Sequence, residues 1–290
     1  MSGWVLGIIG GSGLYAMEGL EDPQWVDVAS PFGTPSDQIL VATLNGVPVR
    51  FLPRHGRGHV HSPTSVPYRA NIDALKRAGC TDIVSLSAVG SLREDLAPGH
   101  FVAVDQFIDR TFAREKSFFG SGLVAHVSTG DPVCSRLSKH LANAAKAAGA
   151  TVHGGGTYLA MEGPQFSTRA ESELYRQWGC DVIGMTNMPE AKLAREAELP
   201  YATVAMVTDY DCWHPDHGNV EVADVLAVLQ NNAAIATQTV VELTMALSKT
   251  ERTPSPIDTN LDFAIVTAPD AQDPHMRAKL SAILKRYDSR

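Results

Sequence analysis

A three-layer α/β/α fold around a central mixed, mostly parallel β-sheet is the class that this sequence predicts. Two observations carry that prediction. Short β-branched runs alternate with helical patterns along most of the chain, the order that places helices on both faces of one sheet. Several of the apolar runs then stop at glycine, hydroxyl or charged residues, as strands do where an open α/β sheet binds ligands at its carboxyl edge. With 290 residues, 44% hydrophobic and 19% charged, the chain can bury a full core as one large domain or two small ones.

Residues 4–9 read as a strand that runs into Gly10-Gly11-Ser12-Gly13. A second strand, 47–52, ends at Pro53-Arg54-His55. Residues 68–78 form a helix pattern, with Ala70, Ile72, Leu75 and Ala78 apolar and Gly79 as its stop. The run 82–88 is again a strand, and 101–104 and 158–161 are weaker ones. Helical patterns return at 134–148, 169–178 and 189–198, the first two ending at glycine. Residues 201–207 are uniformly apolar but for Thr203 and read as a buried strand. A long helix rich in Ala, Val, Leu and Gln follows at 220–248. Composition changes after Lys249, so residues 1–248 are expected as one domain and 249–290 as an extension. That extension starts with a turn or linker at Thr253-Pro-Ser-Pro256, then has a strand-like piece at 261–266 and an amphipathic helix at 274–287.

A net charge of −8 argues against nucleic acid or an anionic membrane as the main partner. The cysteines, Cys80, Cys134, Cys180 and Cys212, are scattered and form no C-x-x-C pair. With no secretion-signal pattern at the start, they read as reduced cytosolic thiols. No apolar run approaches the roughly 20 residues of a membrane span. A soluble, cytoplasmic protein is expected.

The most informative stretch is Val207-Thr-Asp-Tyr-Asp-Cys-Trp213. It sets Asp209 and Asp211 two apart at a strand end, where an extended backbone would point both side chains into one pocket. Such a pair suits a base edge that offers an amino group and a ring nitrogen needing a proton, although a solvated strand exit explains it as well. Gly10-Gly11-Ser12-Gly13 lets a backbone approach an anion. It also fits the dinucleotide fingerprint loosely, but no second strand ending in an acid follows at the required spacing. Arg54-His55-Gly56-Arg57-Gly58-His59-Val60-His61 concentrates donors that grip phosphate, a guanidinium through two parallel bonds. A metal held by His55, His59 and His61 is the rival reading, and the arginines would repel it. Ser87-Ala88-Val89-Gly90-Ser91 offers room and neutral donors at another strand end. In Glu162-Gly-Pro-Gln-Phe-Ser167, Phe166 can stack on a flat base, and Ser167 can bond a ligand or cap the next helix. Met185 and Thr186 likewise suit a sugar face and an anion, or core filling and a cap.

Taken together, these motifs resemble the purine nucleoside phosphorylase superfamily, and within it the 5′-methylthioadenosine phosphorylases most closely. Gly7-Ile-Ile-Gly-Gly-Ser-Gly-Leu14, Arg54-His-Gly56, Gly90-Ser-Leu-Arg-Glu94, Asp105-Gln-Phe-Ile-Asp-Arg-Thr111, Glu162-Gly-Pro-x-Phe-Ser167, Met185-Thr-x-x-Pro-Glu190 and Thr208-Asp-Tyr-Asp-Cys-Trp213 stand in family order. The resemblance implies a homotrimer with active sites near subunit interfaces. It implies a phosphate site at Ser12, Arg54, His55, Ser87, Ala88 and Thr186, with Met185 against the ribose. Phe166 and Ser167 would line the base pocket, and Asp209 and Asp211 would read adenine. Val222 and Val225 would line a methylthio pocket, and His126 would reach in from a neighbouring subunit. Ser12 and Ser87 stand where many relatives carry threonine, which keeps the donor.

The implied reaction is phosphate-dependent cleavage of the N-glycosidic bond of methylthioadenosine, with phosphate as co-substrate and no metal or organic cofactor. Adenosine is a second candidate substrate. A 6-oxopurine nucleoside is the alternative, disfavoured because an ionised Asp209 would repel O6. A nucleoside-binding module without catalysis is the rival of a different class, and it would not need the phosphate cluster.

Overall fold

Why the sheet branches is written in its longest interior strands. The computed structural model describes residues 3–11, 14–215 and 222–289, with only the backbone of Ala16 and of residues 222–227. In chain order come β1 (Leu6–Gly10), β2 (Glu21–Val26), β3 (Ile39–Leu44), β4 (Val47–Pro53), α1 (Tyr68–Arg77) and β5 (Asp82–Ser91). Next are β6 (Phe101–Ala103), β7 (Gln106–Asp109), α2 (Ser135–Ala147), β8 (Val152–Gly154), β9 (Thr157–Ala160) and α3 (Arg169–Gln177). The last are β10 (Val182–Gly184), α4 (Asn187–Glu196), β11 (Tyr201–Asp209), α5 (Val222–Ser248), α6 (Pro274–Lys279) and α7 (Ser281–Asp288).

β5 is the hub. It pairs in parallel with β1 through its first four residues and with β11 from Ile83 to Gly90. At its end Gly90 and Ser91 pair antiparallel with Ile183 and Val182 of β10. β4 extends the parallel set beyond β1, and β3 and β2 add antiparallel edge strands. β9 and β7 continue from β10, while β6 and β8 branch from β11. The sheet is therefore mixed, with the parallel strands β4, β1, β5 and β11 at its centre. Being covered on both faces, those strands read as nearly unbroken apolar runs, and β11 is buried from Tyr201 to Thr208.

Alternate residues of the same strands feed two cores. Ile9, Leu52, Ile83, Ala205 and Val207 pack with Ile72 and Leu75 of α1 and Leu193 of α4. Leu6, Ile8, Val84, Leu86, Val204 and Met206 pack with Leu137 and Leu141 of α2 and Val240, Leu243 and Leu247 of α5. Two helical layers thus sandwich the sheet.

The extension differs from its expected form. Residues 256–263 are a 3-10 helix capped by Ser255 and Asp258, not a strand, and only Ile265 pairs as a bridge, with Ala125. The single amphipathic helix is two, α6 and α7, meeting at Leu280. Leu261, Leu280, Ile283 and Leu284 join the same apolar cluster as β1 and β11. Arg286 bonds Glu198 at 2.6 Å, and Arg252 bonds Asp258 at 2.6 Å and pairs with Asp82. No helix of the described residues is long and apolar enough to cross a membrane.

Candidate active site

Because β1, β4, β5 and β11 run parallel, their carboxyl ends deliver Gly10, Arg54, the Ser87–Ser91 segment and Asp209 to one edge. Two adjoining cavities of about 260 and 230 Å³ lie there and share His55, His59, Ala88 and Thr186 as lining. The first is completed by Gly90, Met161, Phe166, Met185, Asp209 and Asp211. The second is completed by Gly11, Leu14, Arg54, Ser87, Met206 and, from α5, Leu229, Ala233 and Ala236. A cavity of about 650 Å³ between the start of α2 and residues 254–257 holds none of the expected site residues. Convergent polar groups, not volume, mark the site.

The acid pair converges for a different reason from the one its spacing suggests. β11 ends at Asp209 after a register shift, and Asp211 adopts a left-handed φ of 49°. A tight turn, not strand alternation, brings the two together. Its N–H at Asp211 donates to Asp209 Oδ1 at 2.8 Å, and the Thr208 hydroxyl donates to Oδ2 at 2.7 Å. Burial raises the pKa of Asp209 against those two bonds. Burial also raises Asp211, opposed by the hydroxyls of Ser172 and Ser167 and aided by the charge of Asp209. Asp211 is 5% exposed, and its Oδ2 has no well-formed hydrogen bond among the described residues. Ser172 lowers its pKa without forming such a bond. An acceptor buried in this way calls for a donor from the ligand.

At the other end Arg54 is 3% exposed, but its fork is already occupied. Nε and Nη2 donate to the two carboxylate oxygens of Glu190 at 2.8 and 3.1 Å, Nη2 also reaches Ser85 Oγ at 2.6 Å, and Nη1 donates to Leu86 O at 3.1 Å. Burial works against the cation and Glu190 outweighs it, so the guanidinium pKa rises. The expected two-bond grip on phosphate is thereby corrected. One Nη1 hydrogen remains for an anion, beside a charge that Glu190 largely balances. The sequence reading did not single out Glu190, although it stands in the quoted Met185–Glu190 motif.

His55 stacks on His59 with ring centroids 4.3 Å apart, and its Nδ1 lies 2.8 Å from His61 O. A carbonyl only accepts, so Nδ1 carries the hydrogen and the neutral ring presents Nε2 as an acceptor. Burial and the Arg54 charge push its pKa from the usual 6.5 down to about 4. Between those values the unfolded chain binds a proton that the folded one refuses, so stability should fall as pH drops from about 6.5 to about 4. Urea midpoints at pH 7 and pH 5 check this: the loss should be smaller in His55→Gln than in the unmutated protein, and equal losses would refute it. The rival metal reading finds no support, since no group of three His, Cys, Asp or Glu placed to hold a metal occurs among the described residues.

Ser87 Oγ lies 3.0 Å from Thr186 Oγ1, and Ala88 is exposed within a buried strand because it faces the cavities. Thr186 sits at the N-cap of α4 but makes no side-chain cap bond, which leaves its hydroxyl for the site. Ser167 is not a helix cap: Thr168 caps α3 through a reciprocal bond with Glu171. Met185 and Phe166 line the first cavity, and Arg114 holds Met185 O at 2.6 Å. His126 is exposed and lines neither cavity, its N–H donating to Ala264 O at 2.8 Å. Ser12, and the side chains of Val222 and Val225, lie outside the described residues.

The model of the phosphorylase superfamily matches residues 5–244. An S-methyl-5′-thioadenosine phosphorylase of Cereibacter sphaeroides is 64% identical over 97% of this chain and 98% of its own. That of Rhodospirillum rubrum is 61% identical over 97% and 96%. A crystal structure of methylthioadenosine phosphorylase from an Antarctic soil metagenomic library superposes with a TM-score of 0.92 at 48% identity, covering 98% of this chain and 100% of that one. A mutant adenosine/methylthioadenosine phosphorylase of Schistosoma mansoni, solved with methylthioadenosine, gives a TM-score of 0.79 at 33% identity, covering 97% and 98%.

Proposed function

Since the chain belongs to the phosphorylase superfamily, and within it to the S-methyl-5′-thioadenosine phosphorylases, we propose that it cleaves the N-glycosidic bond of methylthioadenosine with phosphate. The products are adenine and 5-methylthioribose 1-phosphate. The observation that carries this reading is the polarity of the joined cavities: a buried acid pair at one end, and the donors Arg54, Ser87 and Thr186, beside the His55 ring, at the other. A nucleoside fits between them, with its base against the acids and its anomeric carbon over the anion.

The transition state carries oxocarbenium-like charge, and the phosphate is both nucleophile and counter-charge. The chain therefore mainly positions and polarises. Asp209, its pKa raised by burial, protonates N7 so that adenine leaves neutral. Asp211 Oδ2 accepts from the exocyclic amino group. Inorganic phosphate is the co-substrate, and the scheme calls on no metal or organic cofactor. Adenine release from methylthioadenosine and from adenosine, each with and without phosphate, tests the proposal, and release that ignores phosphate would sink it. Val222 and Val225 take the 5′ methylthio group in this scheme. Val222→Ser should therefore lower catalytic efficiency for methylthioadenosine more than for adenosine, and equal losses refute that role.

Gly90 has a part that its motif did not disclose. A Cβ there would lie 2.8 Å from Asp209 Oδ1 and 3.2 Å from Ile183 Cγ2. Gly90→Ala is expected to fold but to displace the Asp209 carboxylate, lowering kcat for methylthioadenosine about tenfold or more, since a misplaced proton donor loses much of its effect. Unchanged kcat in a folded variant would contradict this.

The exposed His126 suits a role at a neighbouring subunit's site within a cytoplasmic homotrimer. Light scattering checks the assembly, and a fully active monomer would exclude it.

A further inference from the structure

Behind the two hydroxyls of the anion site stands a third. Tyr158 of β9 is fully buried, and its hydroxyl lies 3.2 Å from Ser87 Oγ and 3.5 Å from the backbone N of Thr186. Its place is reserved by Gly184: a Cβ on that residue would lie 2.0 Å from the Tyr158 hydroxyl. The direction of every proton in the group follows from one fixed donor. The Thr186 N–H can only donate, so the Tyr158 oxygen accepts from it, and Ser87 Oγ is the acceptor among the described residues within reach of the phenol's own proton. Ser87 then places its single proton on Thr186 Oγ1 at 3.0 Å in preference to Ala88 O at 3.4 Å. Thr186 Oγ1, already an acceptor, is left with its own proton pointing toward the cavity that it lines.

We propose that Tyr158 is a positioning residue for the phosphate co-substrate, setting a one-way relay Tyr158 → Ser87 → Thr186 that aims a hydroxyl donor at the anion. Without it, Ser87 and Thr186 can each turn either way, and a bound anion must first orient them. Donors that are oriented beforehand cost no reorganisation when the charge arrives, and chained hydroxyls polarise one another. Tyr158 never touches the substrate in this scheme. The inference rests on the assignment of the anion site to phosphate.

The test is Tyr158→Phe, which keeps the ring that packs against Phe107 and removes only the hydroxyl. Loss of one neutral hydrogen bond in the relay should raise the phosphate KM about three- to tenfold, with the KM for methylthioadenosine unchanged. In a Ser87→Ala background, where the relay is already cut, the same change should add nothing further. Equal shifts in both KM values together with a lowered Tm would make Tyr158 merely structural and overturn the proposal. If Ser87→Ala and Thr186→Val raise the phosphate KM but Tyr158→Phe does not, the relay is wrong while the site stands. If none of the three raises it, the phosphate assignment falls and the relay with it.

Discussion

Replacing Asp209 with asparagine should lower kcat/KM for methylthioadenosine by at least ~10²-fold, the usual worth of a general acid, with the fold intact. The turn explains why the fold should survive. An asparagine carbonyl can accept the Asp211 N–H in place of Oδ1, and its amide can donate to Thr208 Oγ1. The Thr208 hydroxyl then turns to Val89 O, which already lies 3.1 Å away. What asparagine cannot supply is a proton for N7. Burial lifts the Asp209 pKa, so the acid form is most available at low pH and is lost as pH rises through that raised value. The unmutated enzyme should therefore show a basic limb in its kcat profile that Asp209→Asn lacks. Turnover of 6-oxopurine nucleosides should rise relative to that of methylthioadenosine, since an amide can donate to O6. Turnover of methylthioadenosine by Asp209→Asn matching the unmutated protein at neutral pH would show that the proton comes from elsewhere.

The layered fold was legible because interior parallel strands leave continuous apolar runs, as at residues 201–207. The run also located the acid pair. Extended strand geometry is not what brings the acids together, and neither the bulge before Asp209 nor the positive φ of Asp211 has a local signal at a non-glycine residue. The edge strand β2 and the three-residue strands β8 and β10 were invisible for physical reasons. β2 carries Pro23 and is mostly exposed, so it has no apolar period, and β10 is too short to show one. The tail misled because Leu261 is apolar for packing on the core, and Ile265, packed there too, makes no more than an isolated bridge. Arg54 was found by type, but its pairing with Glu190 spans 136 residues, a relation that no spacing rule can report. Tyr158 and Gly184 were hidden likewise: one looks like strand filler and the other like a strand end.

The Arg54–Glu190 pair separates what holds the site from what the site does. Both groups are nearly fully buried, and Glu190 also accepts from the Tyr201 hydroxyl at 2.8 Å. Arg54→Met removes one partner and strands a carboxylate in the core, which should destabilise the fold by about 3–5 kcal/mol. Arg54→Met combined with Glu190→Met removes both charges and should regain most of that loss, because two apolar chains of similar volume replace the pair without an unpaired ion. Tyr201 keeps one bond even then, accepting from Asn187 Nδ2 at 2.9 Å. Phosphate binding should behave differently. The free Nη1 hydrogen and the cation are absent from both variants, so the phosphate KM should stay raised at least ~10-fold in the double variant, in keeping with the worth of a charged hydrogen bond. Denaturant midpoints and phosphate titrations on the single and double variants decide the matter. Stability that returns without phosphate affinity places Arg54 at the anion. If both return, the arginine served only to neutralise Glu190, and the anion must be held by the Ser87 and Thr186 hydroxyls without it.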